Sequence, residues 1–388
     1  MQMTSVKTNQ TNTTTYDIAI VGGGLAGLSL SIQAARAGYK VVLFEKETYP
    51  FHRVCGEYIS LESWPFLESL GLRLKEMDLP IIKKLIVTSP NGHSIEEPLP
   101  LGGFGISRYT IDFELAKIAK EAGVVLVENT KVADVVFENG NFCVKYNSEE
   151  LLCRMAVGSF GKRSNLDIKW KRPFIKQKPN KLNNYIGVKY HIETDFPADT
   201  IALHNFKNGY CGMSRIEDYK YCLCYLTTAA NLQDNGNSFE KLEENVLSEN
   251  PYLKQIFSTS KFLFSSPVTI SQISFEKKSL VENHVLMVGD AGGMITPLCG
   301  NGMSMALHGS KIAFENIDQF LQGTISREQL EKQYIGTWNN QFSSRLQTGR
   351  FIQSMFGKEW VTNAFIRTIK PFPKFIGYLI RQTHGKPY

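Results

Sequence analysis

The feature that most constrains this chain is Gly22-x-Gly24-x-x-Gly27, set between an apolar run, Tyr16 to Val21, and a helical stretch, LSLSIQAARAG. A glycine triplet alone is a weak signal, but between a buried strand and a helix it is a dinucleotide-binding fingerprint. Gly22 permits the tight turn, Gly24 lets the backbone approach a pyrophosphate, and Gly27 allows the helix to pack closely on the strand. Leu25 and Ala26 complete the loop, whose N–H groups at the helix start meet phosphate with a favourable dipole. YKVVLFEK follows as a second buried strand, so a whole βαβ unit is present. Glu45 closes that strand, where an acid accepts hydrogen bonds from ribose hydroxyls, with Lys46 beside it in the same binding segment.

A second glycine site separates FAD from NAD. In LMVGDAGGMITPLCGNGMSMALHG, Asp290 follows a buried strand, where its carboxylate can accept from a ribityl hydroxyl. Pro297 and Gly300-Asn301-Gly302 then bring backbone amides toward the pyrimidine side of a flavin. Amides and a helix N-terminus there stabilise the negative charge of the reduced ring. The expected cofactor is FAD, bound non-covalently.

At 388 residues the chain is too long for one comfortable core. The strand and helix signals predict an α/β fold: a Rossmann-like FAD-binding domain interrupted by an antiparallel-sheet substrate domain, with a helical C-terminal extension. The expected boundaries are 16–76, 107–170 and 276–325 for the FAD-binding domain, 77–106 and 171–275 for the substrate domain, and 326–388 for the extension. Residues 1–15 read as a flexible leader. IDFELAKIAKEAG predicts a helix capped by Thr110, and the Asn-Gly of FENGNF predicts a hairpin turn.

The formal charge is +6, and seven cations against the single acid Glu359 place all of it in the stretch from Arg350 onward. The remainder carries no field for nucleic acid. The seven scattered cysteines show no metal or redox spacing, so a reducing, cytoplasmic setting and no metal are expected. In the C-terminal region, FIQSMFGKEWVTNAFIRTIKPFPKFIGYLIRQ, aromatic and apolar residues alternate with cations. Two readings stand: an interfacial helix pair making peripheral contact with a membrane, or a helical cap packed on the substrate domain.

GGGLAG with Glu45, Arg108 before the long helix, VGSFGKRS and VGDAGGMITPLCGNG together resemble the FAD-binding monooxygenase and geranylgeranyl-reductase superfamily, of the hydroxybenzoate-hydroxylase fold. HRVCGEYIS is similar to the K-x-C-G-E signature of geranylgeranyl-reductase-like flavoproteins, with Arg53 where Lys is usual. The resemblance implies that Arg53, Cys55, Gly56 and Glu57 form the floor beside the flavin, and that Arg108 and the Val132 backbone contact its phosphate and adenine regions. Cys55 is then a reactive thiol or a space-filler, and Glu57 a general acid or a carboxylate tying down Arg53. Tyr210, His204 and Arg215 fall on strands that could face the ring. Cys222 and Cys224 share a strand face, with packing as their default role.

Three departures bear on chemistry. Phe160 stands where the superfamily's Asp-Gly motif has its acid, which leaves NADPH or NADH as one reductant and an electron-donor protein as another. Gly209-Tyr210-Cys211-Gly212-Met213-Ser214-Arg215 matches the prenyl-chain reductases at Gly and Tyr but lacks their Trp and Phe-Pro. The W-x-W-x-I-P run of related halogenases is missing, so halogenation is not expected. The substrate is a hydrophobic or aromatic small molecule. Its reaction is double-bond reduction of a lipid-like chain or, alternatively, hydroxylation of an aromatic or polyketide-like compound through a flavin C4a-hydroperoxide. A flavin-binding sensor without turnover is the reading from another class.

Overall fold

A computed structural model describes residues 15–177, 184–294, 300–355, 359–383 and 385–388. Pro297 and residues 1–14 of the expected leader lie outside these, and Thr15 already opens the first strand.

The apolar run at the start forms strand Thr15–Val21, which pairs in parallel with Val41–Phe44 on one side and Glu149–Gly158 on the other. Val125–Val127 and Val285–Met287 extend the sheet outward. Ile18, Ala19, Ile20 and Leu43 are fully buried, as parallel strands covered on both faces must be. Helix Leu25–Arg36 covers one face and meets helix Gly302–Leu321, where the Ser29 and Ser310 hydroxyls lie 2.7 Å apart. Four parallel strands end at one edge, so Gly22, Glu45, Ser159 and Asp290, which follow them, are delivered to one crevice. That crevice is where open α/β sheets bind ligands. The expected hairpin, Val132–Glu138 with Asn141–Tyr146, turns through Asn139 and Gly140, both at positive φ.

The second sheet centres on Thr200–Phe206, Gly209–Arg215 and Tyr221–Thr228. Ile81–Thr88, Ser94–Gly105 and Tyr58–Ser60 continue it one way, and Tyr185–Glu193, Lys261–Phe262 and Val268–Ile273 the other. It departs from the antiparallel expectation at one pair: Ile81–Thr88 runs parallel to Thr200–Phe206. Between those two strands the chain builds much of the first sheet, so no hairpin obliges it to return antiparallel. Tyr58–Ser60 comes from a stretch read as cofactor-binding, and it carries the Cys-Gly-Glu segment from one sheet to the other.

Three short helices, Ala229–Asp234, Phe239–Asn245 and Pro251–Thr259, stand in a region that the sequence suggests is strand-like. Thr228, Ser238 and Asn250 cap them, and Leu242, Leu253 and Ile256 are buried under the sheet. Each is too short to show a clear helical period.

Helix Arg327–Met355 begins the C-terminal region. Tyr334, Trp338 and Phe342 enter the core of the first sheet, and the Tyr334 hydroxyl donates to the Met287 carbonyl at 2.6 Å. At about 1.5–3 kcal/mol for each large apolar side chain buried, this helix is part of the core, not an appendage. Helices Glu359–Ile369 and Pro373–Thr383 follow and set Ile366, Ile369, Ile376 and Ile380 against Ile82, Val87, Ile95 and Ile201 of the second sheet. Among the described residues no helix is long and apolar enough to cross a membrane, and the cysteines form no disulfide.

Candidate active site

The glycine loop sits as the fingerprint requires. Gly22 has φ +109°, and a Cβ there would lie 2.5 Å from the Ser159 carbonyl oxygen. At Gly24 a Cβ would meet only Arg108 Nη2, at 3.4 Å, so the space above this residue belongs to the cavity. Gly27 packs on the Gly22 carbonyl and Ser159. Leu25 and Ala26 line the cavity at the start of the helix.

Two arginines stand before this loop, interlocked with two acids. Glu45 Oε2 accepts from the Gly23 N–H at 2.9 Å and from Arg53 Nη2 at 2.8 Å. Arg53 Nε donates to Asp112 Oδ2 at 3.0 Å, and Arg108 makes a bidentate pair with the same carboxylate at 2.8 and 2.7 Å. Burial opposes charge on Arg108, but Asp112 outweighs it and holds the guanidinium pKa above its ordinary value. Fixed guanidinium forks of this kind suit a pyrophosphate. Asp112 carries one signal in the sequence, its i,i+4 spacing from Arg108 on a helix.

The helix is Arg108–Glu121, and its cap is Ser107, not Thr110. Ser107 Oγ accepts from the Thr110 N–H at 3.1 Å, while Thr110 lies in the first turn and donates to Glu217 at 2.7 Å. Ser107 has the extended backbone a cap needs, and Arg108 becomes the first helical residue.

The Cys-Gly-Glu segment is tied to the second sheet. Glu57, fully buried at φ +55°, accepts from Lys189 Nζ at 2.6 Å and the Arg108 N–H at 2.9 Å through Oε1, and pairs with His191 Nε2 at 2.6 Å through Oε2. Burial alone would raise its pKa, but the His191 hydrogen bond and the Lys189 charge bring the carboxyl down to about 2. A carboxylate so low and so fully engaged is poorly suited to carry protons near neutrality. It acts as an anchor, and its partners are Lys189 and His191, not Arg53. Glu57, His191 and Cys222 bring potential metal-ligand atoms within 4.8 Å of one another, but the Lys189 ammonium beside them disfavours a second cation.

Cys222 Sγ donates to the Cys55 carbonyl at 3.2 Å and Ser214 Oγ to the Gly56 carbonyl at 3.4 Å. Burial pushes the Cys224 thiol up to about 12. Cys55, Gly56 and Tyr210 line the cavity. His204 does not: its Nδ1 meets Thr88 Oγ1 at 3.0 Å, and burial pushes its pKa down to about 4, which leaves a neutral packing residue. Arg215 stacks its guanidinium on Tyr219 in a turn.

Across the crevice Asp290, Gly300 and Gly302 line the cavity, and buried Asn301 precedes helix Gly302–Leu321. Lys278 Nζ, nearly buried, donates to the Asp290 and Lys162 carbonyls at 2.8 Å, and burial pushes its pKa down to about 8. Lys46 and Val132 line the same cavity, and the Val132 carbonyl accepts from Asn165 at 3.0 Å. Phe160 presents a ring to the same cavity.

The cavity measures about 1060 Å³, slightly above the roughly 300–1,000 Å³ usual for small-molecule sites. It runs from the glycine loop and Arg108 past Cys55 and Tyr210 to an apolar arm, lined by Leu85, Val87, Ile95, Leu99, Ile201 and Leu203 of the sheet and by Phe365, Ile366, Ile369, Ile376, Leu379 and Ile380 of the last two helices. The open space over Gly24, the paired arginines, and Glu45 and Asp290 at the strand ends fit FAD.

Residues 17–52 match the FAD binding domain family. The chain is 26% identical over 352 residues to conditioned medium factor receptor 1 of Dictyostelium discoideum, covering 84% of this chain and 68% of that protein. It is 24% identical over 370 residues to the digeranylgeranylglycerophospholipid reductase of Methanosarcina acetivorans, covering 88% and 84%. Its fold is similar to that of the flavin-dependent brominase Bmp2, with TM-score 0.78 and 19% identity over 95% of this chain and 93% of the other. The chain is an FAD-dependent oxidoreductase, similar in sequence to a digeranylgeranylglycerophospholipid reductase and in fold to a flavin-dependent brominase.

Proposed function

We propose that this enzyme reduces carbon–carbon double bonds in a long, lipid-like substrate. The observation that carries the reading is the continuity of one cavity from the FAD-binding loop into an arm walled by aliphatic side chains. Similarity to digeranylgeranylglycerophospholipid reductase points the same way. FAD, when bound, supplies the hydride; the chain positions the reactants and excludes water.

Arg53 and Arg108, oriented by Asp112, would hold the pyrophosphate of the bound FAD, and Glu45 its ribose. Glu57 fixes the floor segment through Lys189 and His191, which sets Cys55 and Gly56 at the junction of cofactor site and apolar arm. Saturating a double bond needs a proton as well as a hydride, and the Cys55 thiol, which lines the cavity there, is the proposed donor. Tyr210 shapes the facing wall. Because Phe160 offers no carboxylate to arrange a nicotinamide, electrons are proposed to arrive from a donor protein ahead of NADPH.

The test is anaerobic reduction of the purified holoenzyme by dithionite, and separately by NADPH, followed by geranylgeraniol dispersed in detergent. Flavin reoxidation coupled to a product carrying added hydrogen is expected. A reduced flavin indifferent to the alcohol, but yielding an oxygenated product from an aromatic substrate on admission of air, would overturn the reading.

A further inference from the structure

The helices that wall the apolar arm have a second face, and nothing among the described residues covers it. Trp360 is 74% exposed, Phe372 60%, Tyr378 50% and Phe375 46%. Four large aromatic side chains thus stand in solvent within one short stretch, on elements whose inner faces are packed. In helix Glu359–Ile369, Trp360, Ala364, Arg367 and Thr368 are exposed, while Thr362, Ile366 and Ile369 are buried. Helix Pro373–Thr383 repeats the division, with Lys374, Phe375, Tyr378 and Arg381 outside and Ile376 and Ile380 inside. Phe372 joins the two: its N–H donates to the Ile369 carbonyl at 2.8 Å, and its carbonyl accepts from the Phe375 and Ile376 N–H groups.

Charge says what covers this face. Arg367, Lys370, Lys374 and Arg381 are all exposed on it, against the single acid Glu359, in a chain otherwise close to neutral. Helices with aromatic residues and cations together on the outer face are built for the headgroup region of an anionic membrane. Trp and Tyr favour that boundary, one end apolar and the other wet.

We infer that helices Glu359–Ile369 and Pro373–Thr383 dock the enzyme on an anionic lipid bilayer, and that a lipid-like substrate passes from the bilayer between them into the apolar arm. The second clause rests on the proposed function; the first stands without it. Phe365, Ile369, Ile376 and Leu379 line the cavity on the inner side of the same helices whose outer side carries Trp360 and Phe375. A chain leaving the bilayer therefore has one helix layer to cross.

The test uses the full-length holoenzyme and sedimentation with phosphatidylcholine vesicles, with or without phosphatidylglycerol. Binding is expected only to the anionic vesicles and should weaken with salt. Lys370→Gln/Lys374→Gln should partition about thirty-fold more weakly, from the loss of two surface cations alone. Phe372→Ser/Phe375→Ser should also release the protein, with flavin content and melting temperature unchanged because these side chains are exposed. Equal binding to neutral vesicles, or variants that sediment like the parent, would overturn the docking surface. So would a dimer in solution that Phe372→Ser/Phe375→Ser dissociates, since the face would then belong to a second copy. Turnover of detergent-dispersed geranylgeraniol separates the two claims. Vesicle binding without turnover keeps the docking surface and sinks the reductase reading, and turnover without vesicle binding does the reverse.

Discussion

The two ends of the cavity are built differently. At the cofactor end charged groups interlock: Arg53 with Glu45 and Asp112, Arg108 with Asp112, Glu57 with Lys189 and His191. At the other end Leu85, Val87, Leu99, Ile201, Ile366 and Ile376 offer only dispersion contacts. Directional, charge-assisted bonds fix one occupant in one pose, whereas apolar walls select by length and girth and tolerate many poses. Changes at the first end should therefore be nearly all-or-none, and changes at the second graded.

The largest effect is expected where the loop meets the cofactor. Gly24→Val places its side chain in the space above the loop, where only the Arg108 guanidinium stands near. The fold should persist, while FAD affinity, measured by fluorescence titration of the apoprotein, should fall at least about 100-fold, a loss of roughly 2.7 kcal/mol. A Gly24→Val protein that purifies yellow would break the contrast at its strongest point.

Next in size is the anchor. Glu57→Ala leaves the Lys189 ammonium buried without its partner, and removing one member of such a pair costs about 3–5 kcal/mol. The same carboxylate makes stability depend on pH. Its pKa is about 2 in the folded chain against 4.5 as the ordinary value, so its contribution is complete above pH 4.5 and is lost as pH falls toward 2. The loss amounts to roughly 3 kcal/mol. Urea unfolding across that window should show the fall in the parent and a flatter profile in Glu57→Gln. Parallel profiles would mean that Glu57 is not the charged anchor.

The same contrast explains what the sequence could reveal. The fingerprint is legible because Gly22, Gly24, Gly27 and Glu45 lie within one βαβ unit, where local order and spatial order coincide. Lys189 and His191 carry no such signal. They alternate on Tyr185–Glu193, and only the crossing of the Cys-Gly-Glu segment into the second sheet brings Glu57 to them. The apolar arm was hidden for a similar reason. Ile366 and Ile376 read as one amphipathic face among many until strands Ile81–Thr88 and Thr200–Phe206 supply the opposite wall. The parallel pairing of those two strands is a property of the chain's path, which no local pattern encodes.

The smallest expected effect sharpens the comparison most, because it should touch one end alone. Leu203 lines the apolar arm from strand Thr200–Phe206 and is only partly buried, so Leu203→Trp can extend into the cavity without forcing the core apart. FAD content and the rate of flavin reduction should be unchanged. The added ring shortens the arm, and under the proposed double-bond reduction kcat/KM for geranylgeraniol should drop about ten-fold while that for geraniol, a shorter chain, stays close to the parent's; apolar pockets discriminate on this modest scale. An equal drop for both chains would place the substrate elsewhere in the cavity. A loss of FAD would show that the ends are mechanically coupled through the second sheet, and the division between a fixed end and a graded end would then have to be given up.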